Sequence, residues 1–203
     1  MRQEEIYQIS QIVKTLKSMQ HELNECWKKE LHQTRNLKHT NISDVWFPSS
    51  DTSSEFFLEL QAYSILASGF VLDILESGPN IRARAKQPYS ILAKLQKYIT
   101  AKEQGKVAIS KCLNDLLGTR IIVSNDTEYV DMLEELQTYF VEDKNVRVVK
   151  SFHGSYNAIH IYIQEENSTF PWELQIWKQE DELTNEASHR KYKQEYADDS
   201  PEF

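Results

Sequence analysis

The sequence predicts an α+β protein: a mixed β-sheet of about five strands, with helices before, between and after the strands. Three observations carry this. In the first third of the chain, Ile6, Ile9, Ile12, Val13, Leu16, Met19 and Leu23 recur at helical spacing. Short β-branched runs then appear at 119–124, 145–150 and 158–164, and an alternating apolar frame at 171–177. In 158–164 Ile159, Ile161 and Ile163 point one way and Ala158, His160 and Tyr162 the other. Breakers and helix starters, notably Ser77-Gly-Pro-Asn80 and Pro88, punctuate the pattern.

Taken in order, residues 3–33 read as one long helix, and the polar stretch 34–54, with Pro48 and Ser/Asp clusters, as a connector. A helix over 55–77 carries Phe56, Leu60, Tyr63, Ile65, Leu66 and Leu72. A short strand over 80–87 leads into a helix over 88–101 that buries Ile91, Leu92, Leu95, Tyr98 and Ile99. Ser90 and Lys94, four apart, share its opposite face. Strand 119–124, helix 126–142 and strands 145–150, 158–164 and 171–177 follow. In the last, Trp172, Leu174 and Ile176 face the core while Glu173 and Gln175 share the other side. A terminal helix over 181–196 closes the chain, with 198–203 frayed. The expected organisation is an N-terminal helical region, 1–79, packed on a catalytic core, 80–203.

With 203 residues, 40% hydrophobic and 11% aromatic, the chain can bury a substantial core. No apolar run is expected to reach the ~20 residues of a membrane span, and Met-Arg-Gln-Glu-Glu lacks the layout of a signal peptide. Cys26 and Cys112 form no metal or redox spacing, so a cytoplasmic protein with reduced cysteines is expected. A net charge of −8 argues against a generic nucleic-acid coat. Charge is uneven, however: Arg82, Arg84, Lys86, Lys94, Lys97, Lys102, Lys106 and Lys111 face only Glu103 within 82–111, which favours a local site for an anionic ligand.

The chemistry concentrates in a few segments. Asp115-Leu-Leu-Gly-Thr-Arg-Ile-Ile-Val123 sets an acid and a base at the mouth of an apolar run, with Gly118 suited to a turn or close backbone approach. Asp115 and Glu173 could converge on one Mg²⁺, or Glu173 could take a proton from an attacking hydroxyl. Alone, each is also what a solvated or amide-capping carboxylate looks like. Arg84-x-Lys86-x3-Ser90-x3-Lys94 could grip phosphates, with Arg120 stacking on a base. Alternation puts Arg82, Arg84 and Lys86 on one strand face, a costly concentration of like charge unless an anion answers it. Tyr156, at the turn into strand 158–164, could offer a stacking platform, and His160 faces the side of the carboxylates. Ser188-His-Arg-Lys-Tyr-Lys193 is either a basic helix end or part of an anion site.

The ordered set Arg84-x-Lys86-x3-Ser90-x3-Lys94, Asp115-x2-Gly118-x-Arg120, Tyr156-x3-His160, Glu173-x-Gln175 and His189-x3-Lys193 with Tyr192 makes residues 80–196 resemble the synthetase domain of the RelA/SpoT family. The likeness is to the single-domain small alarmone synthetases in particular. It implies a nucleotidyltransferase-like fold and an Mg²⁺-dependent pyrophosphokinase that moves the β,γ-pyrophosphoryl group of ATP to a ribose 3′-hydroxyl. On this resemblance Arg84 and Arg120 sandwich the adenine, and Lys86, Ser90 and Lys94 hold the phosphates. Asp115 and Glu173 bind Mg²⁺, Glu173 activates the acceptor hydroxyl, and Tyr156 stacks on the acceptor base. Gln175, His160, His189 and Lys193 complete the acceptor pocket.

Two departures bear on the acceptor. Where the family's acceptor loop usually reads Gly-Tyr-Arg-Ser, this chain has Ser155-Tyr-Asn-Ala158, and where Gln-Ile/Leu-Arg-Thr usually follows the second acid it has Gln175-Ile-Trp-Lys178. Two polar or cationic contacts to a free nucleotide are thus lost. Some toxic members of the family modify the 3′-terminal adenosine of tRNA, which favours the tRNA 3′ CCA end as acceptor and a protein antitoxin as partner. Lys28, Lys29, Arg35, Lys38, His39, Arg190, Lys191 and Lys193 are candidates for the tRNA backbone. The alternatives are the same transfer to GDP or GTP, making guanosine alarmones, a nucleotidyltransferase, or a catalytically silent nucleotide- or RNA-binding module.

Overall fold

The computed structural model describes residues 3–31, 35–46, 51–78, 80–102 and 104–198. Its centre is one five-stranded sheet: β1 (Ile81–Ala85), β2 (Leu117–Val123), β3 (Val146–His153), β4 (Tyr156–Ile163) and β5 (Trp172–Lys178). The spatial order is β1-β2-β5-β4-β3, and only the β2–β5 pair is parallel. Strands β3 and β4 form a hairpin whose tip holds Gly154 at φ +60°, a conformation that glycine reaches without strain. The last strand in the chain lies at the centre, and all seven residues of β5 are buried.

The register separates two faces. Ile81, Ile121, Ile176 and Ile159 line up across four strands, as do Ala83, Thr119, Leu174 and Ile161. This apolar face is covered by α1 (Gln3–Leu31) and α2 (Asp51–Ser68), and near β3 by α6 (Tyr129–Tyr139). The helices place Ile9, Val13, Leu16, Leu23, Trp27, Phe56, Leu60 and Tyr63 in one core with the strand isoleucines, each at most 2% exposed. Burying one such side chain contributes about 1.5–3 kcal/mol. Polar groups are matched as they are buried. The Trp172 indole donates to the Tyr63 hydroxyl at 2.8 Å, and the Gln20 amide donates to the carbonyls of Ile163 and Phe170.

Short helices α3 (Val71–Glu76) and α5 (Ile109–Cys112) support β1 and the approach to β2, and α4 (Pro88–Thr100) follows β1. The last helix, α7 (Glu182–Asp198), lies against α4 and β4. Several expectations change. The helix expected over 55–77 is two helices broken at Gly69–Phe70, and Ile65 and Leu72 are 69% and 71% exposed rather than core. Contrary to the sequence reading, Glu55–Glu76 is long and apolar enough to cross a membrane by length and composition. Here that stretch is interrupted, and its Phe56, Leu60, Tyr63 and Ala67 are buried in the core. The connector is not merely polar: Leu37, Ile42, Val45 and Trp46 are buried around a 3-10 turn at Ile42–Asp44. On α4, Ile91 and Leu95 are fully buried, whereas Leu92, Tyr98 and Ile99 are half-buried. Residues 199–203, expected to fray, lie outside the described residues.

Candidate active site

The sheet's second face carries the polar residues of the strands. Because directly paired residues share a face, the register draws two rows. One runs Arg84, Gly118, Glu173, Tyr162, Arg147; the next runs Arg82, Arg120, Gln175, His160, Val149. Helix α7 crosses only part of this face. A cavity opens between them, lined by Arg84, Asp115, Gly118, Arg120, Glu173, Gln175, His189 and Arg190 among others. Gly118 is not a turn: it sits inside β2, and a Cβ there would meet nothing within 4 Å. Its missing side chain leaves the cavity open between Arg84 and Glu173.

Asp115, just before β2, accepts from the Lys86 ammonium at 2.8 Å and the Lys94 ammonium at 2.9 Å. Burial works to raise its pKa, but the two lysines outweigh this and hold the carboxyl far below its usual range. At Lys86 burial prevails and the pKa falls. At Lys94 burial also opposes the charge, but Asp115 overrides it and the pKa rises. Lys94 therefore points inward to the site, and Ser90, one turn earlier on α4, is exposed beside it. The cations on β1 are not unanswered either: Arg82 pairs with Glu182 and Glu186 of α7.

Glu173 is 6% exposed. Its Oε1 lies 3.0 Å from His160 Nδ1 and its Oε2 accepts from the Gln175 amide at 2.8 Å. Burial raises its pKa, yet the hydrogen bonds from His160 and Gln175 bring the net value below the ordinary one, against the opposing charge of Asp115. The hydrogen bonds around His160 have one consistent sense. The Trp177 indole donates to the Tyr156 hydroxyl at 3.2 Å, which donates to His160 Nε2 at 2.9 Å, leaving Nδ1–H to donate to Glu173. The Tyr162 hydroxyl joins at 3.2 Å from Nδ1.

Arg120 lays its guanidinium 3.2 Å from the centre of the Trp177 ring and donates to Gln175 Oε1. Burial, with neighbouring Arg82 and Arg84, lowers its pKa to about 10, so it stays cationic at neutral pH. His189 reaches from α7 to within 5.2 Å of the Tyr156 ring and 5.3 Å of Trp177. Burial, Arg120 and Arg84 push its pKa down to about 4, so it is neutral at pH 7.

The structure thus brings Arg84, Lys86, Lys94, Asp115, Arg120, His160, Glu173, Gln175, His189 and Arg190 together. Tyr156 departs from its expected role: at 7% exposure, between Trp177 and His189, it is packed rather than presented as an open platform. Tyr162 and Trp177 were not among the sequence candidates for the site, although strand alternation already placed both on its face. The N-terminal cations do not join. Lys28 is paired with Glu166 and Glu25, Arg35 with Glu59, and α1 packs on the opposite face of the sheet. Lys29, Lys38, His39 and Lys191 are exposed. The side chains of Tyr192 and Lys193 lie outside the described residues.

The family model described as the region found in RelA and SpoT proteins matches residues 83–197, more than half of the chain. No curated protein matches. Among solved structures, small alarmone synthetase 1 from Bacillus subtilis is 18% identical, with a TM-score of 0.39 over 75% of this chain and 84% of that one. Small alarmone synthetase 2 from the same organism is 19% identical, with a TM-score of 0.40 over 68% and 82%. The first of these bound to AMPCPP gives 17% identity and a TM-score of 0.35 over 73% and 77%.

Proposed function

The chain belongs to the RelA/SpoT family, and from that premise we propose that it is a pyrophosphokinase, transferring the β,γ-pyrophosphoryl group of ATP to a ribose 3′-hydroxyl. One observation carries the reading: two carboxylates, the half-buried Asp115 and the buried Glu173, line one cavity beside the Arg84, Lys86 and Lys94 cations. A binding module has no use for two ionised acids beside a triphosphate cradle, and holding them there, partly or wholly out of water, costs desolvation.

In this reading Arg84 and Arg120 hold the adenine between their guanidinium planes, and Lys86, Ser90 and Lys94 hold the phosphates. The 3′-oxygen attacks the β-phosphorus, the bond from that phosphorus to the oxygen bridging the α-phosphate breaks, and AMP leaves. The hydroxyl proton passes to Glu173, whose lowered pKa keeps it an acceptor at neutral pH. Gln175 and His160 fix that carboxylate, and Tyr156 orients His160 from behind. The donor set fits Mg²⁺: Asp115 and Glu173 offer hard oxygens, and such a site uses one or two carboxylates with substrate phosphates and water. Bound there, the ion would neutralise charge developing on the transferred group. Asp115 and Glu173 would hold it.

For the acceptor we favour the 3′-terminal adenosine of tRNA, which makes the chain a translation-inhibiting toxin with a protein antitoxin. Asn157 and Trp177, standing where the family usually has arginine, carry no charge to a free nucleotide. The Asn157 backbone is tied to Asn185 and its side-chain amide donates to Asp181 at 3.4 Å, and Trp177 is fully buried. Transfer to GDP or GTP is the rival. Incubation with γ-labelled ATP, magnesium and either deacylated tRNA, GDP or GTP separates them. Label on tRNA with release of AMP is expected, label on guanine nucleotide supports the rival, and release of pyrophosphate refutes pyrophosphoryl transfer.

A further inference from the structure

The row Arg84, Gly118, Glu173, Tyr162, Arg147 crosses all five strands. With strands ~4.8 Å apart, the backbone of each terminal arginine stands about 10 Å from that of Glu173, on opposite sides. Of the other cations at the site, Lys86, Lys94 and Arg120 serve ATP in this reading, Arg82 pairs with Glu182 and Glu186, and Arg190 stands on α7 at the cavity wall. Among the described residues, Arg84 and Arg147 make no ion pair. Arg84 belongs to the adenine side.

Arg147 is exposed on β3, the edge strand, with its guanidinium 4.8 Å from the centre of the Tyr162 ring. Tyr162 continues inward to the reacting acid, since its hydroxyl lies 3.2 Å from His160 Nδ1 beside Glu173. This cation–π contact anchors the guanidinium without using its N–H donors, which remain available for a bidentate anion. A nucleotide whose 3′-hydroxyl meets Glu173 carries its nearest anion one ribose away, on the 5′ side. Among the described residues, Arg147 is the lysine or arginine on the β4–β3 half of this face placed to meet it.

Resting on the pyrophosphokinase reading, we propose that Arg147 anchors the acceptor by binding the phosphate on the 5′ side of the ribose that receives the pyrophosphoryl group. A free nucleotide and the last phosphodiester of an RNA offer the same chemistry there. Arg147 thus supplies, from the sheet edge, charge that Asn157 and Trp177 do not.

The test compares phosphorylated and unphosphorylated ligands on wild type, Arg147→Gln and Arg147→Lys. Binding of AMP against adenosine, and of GMP against guanosine, is measured by calorimetry with the donor site saturated by AMPCPP. Transfer from γ-labelled ATP is measured in parallel to GDP, guanosine and deacylated tRNA. Wild type is expected to prefer a phosphate-bearing ligand by ~10-fold or more, the size of a charge-assisted hydrogen bond. Arg147→Gln should erase that preference with ATP affinity and melting temperature unchanged, and Arg147→Lys should keep part of it. A preference seen with AMP and tRNA, or with GMP and GDP, identifies the source of the phosphate. The proposal is overturned if wild type binds nucleosides and monophosphates alike, or if Arg147→Gln retains the preference or loses ATP to the same degree. If wild type transfers label to no acceptor, the pyrophosphokinase reading fails while the binding comparison still decides the role of Arg147.

Discussion

At the scale of single residues, burial and charge oppose each other at both acids, and charge wins. Asp115 answers two lysines at once, so Asp115→Asn leaves Lys86 and Lys94 nearly buried without a counter-charge. Breaking such a set costs on the order of 3–5 kcal/mol, which a urea melt would register. Because triphosphate offers the same lysines an anion, ATP without added magnesium should raise the melting temperature of this variant more than that of wild type. Equal shifts would argue against a phosphate role for the lysines. Glu173→Gln keeps the shape of the site and removes the proton acceptor. Transfer should fall by ~10²-fold or more while ATP binding persists, and a variant that retains full turnover would remove Glu173 from the chemistry.

His189 gives a pH prediction with a definite sign. Its pKa is about 4 in the fold and near 6.5 when unfolded, so at intermediate pH the unfolded chain binds the extra proton. Its contribution to stability is present above pH 6.5 and is lost as pH falls toward 4. His189→Gln should flatten the stability profile across that window, measured as melting temperature against pH, and an unchanged slope would exclude His189 as its source.

At the scale of elements, β5 does two jobs at once. One side, Trp172, Leu174 and Ile176, is core; the other, Glu173, Gln175 and Trp177, is the site. Packing defects in β5 should therefore reach the chemistry. Trp172→Phe removes the donor to the buried Tyr63 hydroxyl, a loss of about 1–3 kcal/mol, and Tyr63→Phe in the same chain should recover part of it. Absence of recovery would mean that the ring, not the hydrogen bond, matters at this position. The alternation of 171–177 and of 158–164 was legible in the sequence, because a strand's period of two fixes which side chains share a face. The boundaries were less so. The break at Gly69–Phe70 and the burial of Leu37 and Trp46 in a polar connector depend on what packs against them, which local pattern does not encode.

At the scale of the molecule, α1, α2 and the strands share one apolar core. Removing residues 1–79 would uncover the β5 and β4 isoleucines, and 80–203 alone is expected to lose its cooperative thermal transition. A sharp melt from that piece would overturn the shared-core account. The family match covers 83–197, so the helices that complete the core lie mostly outside it.

By itself the sequence determined the kinds of element, the two-faced strands, and the residues Arg84, Lys86, Lys94, Asp115, Arg120 and Glu173 that gather at the cavity. Periodicity and residue chemistry are local properties, and these follow from them. The tertiary structure decided which charges are already matched, that Tyr156 is packed beneath His189 rather than open, and that Arg147 stands at the far end of the row through Glu173. Those depend on strand order and on the course of α7, which bring together residues far apart in the chain.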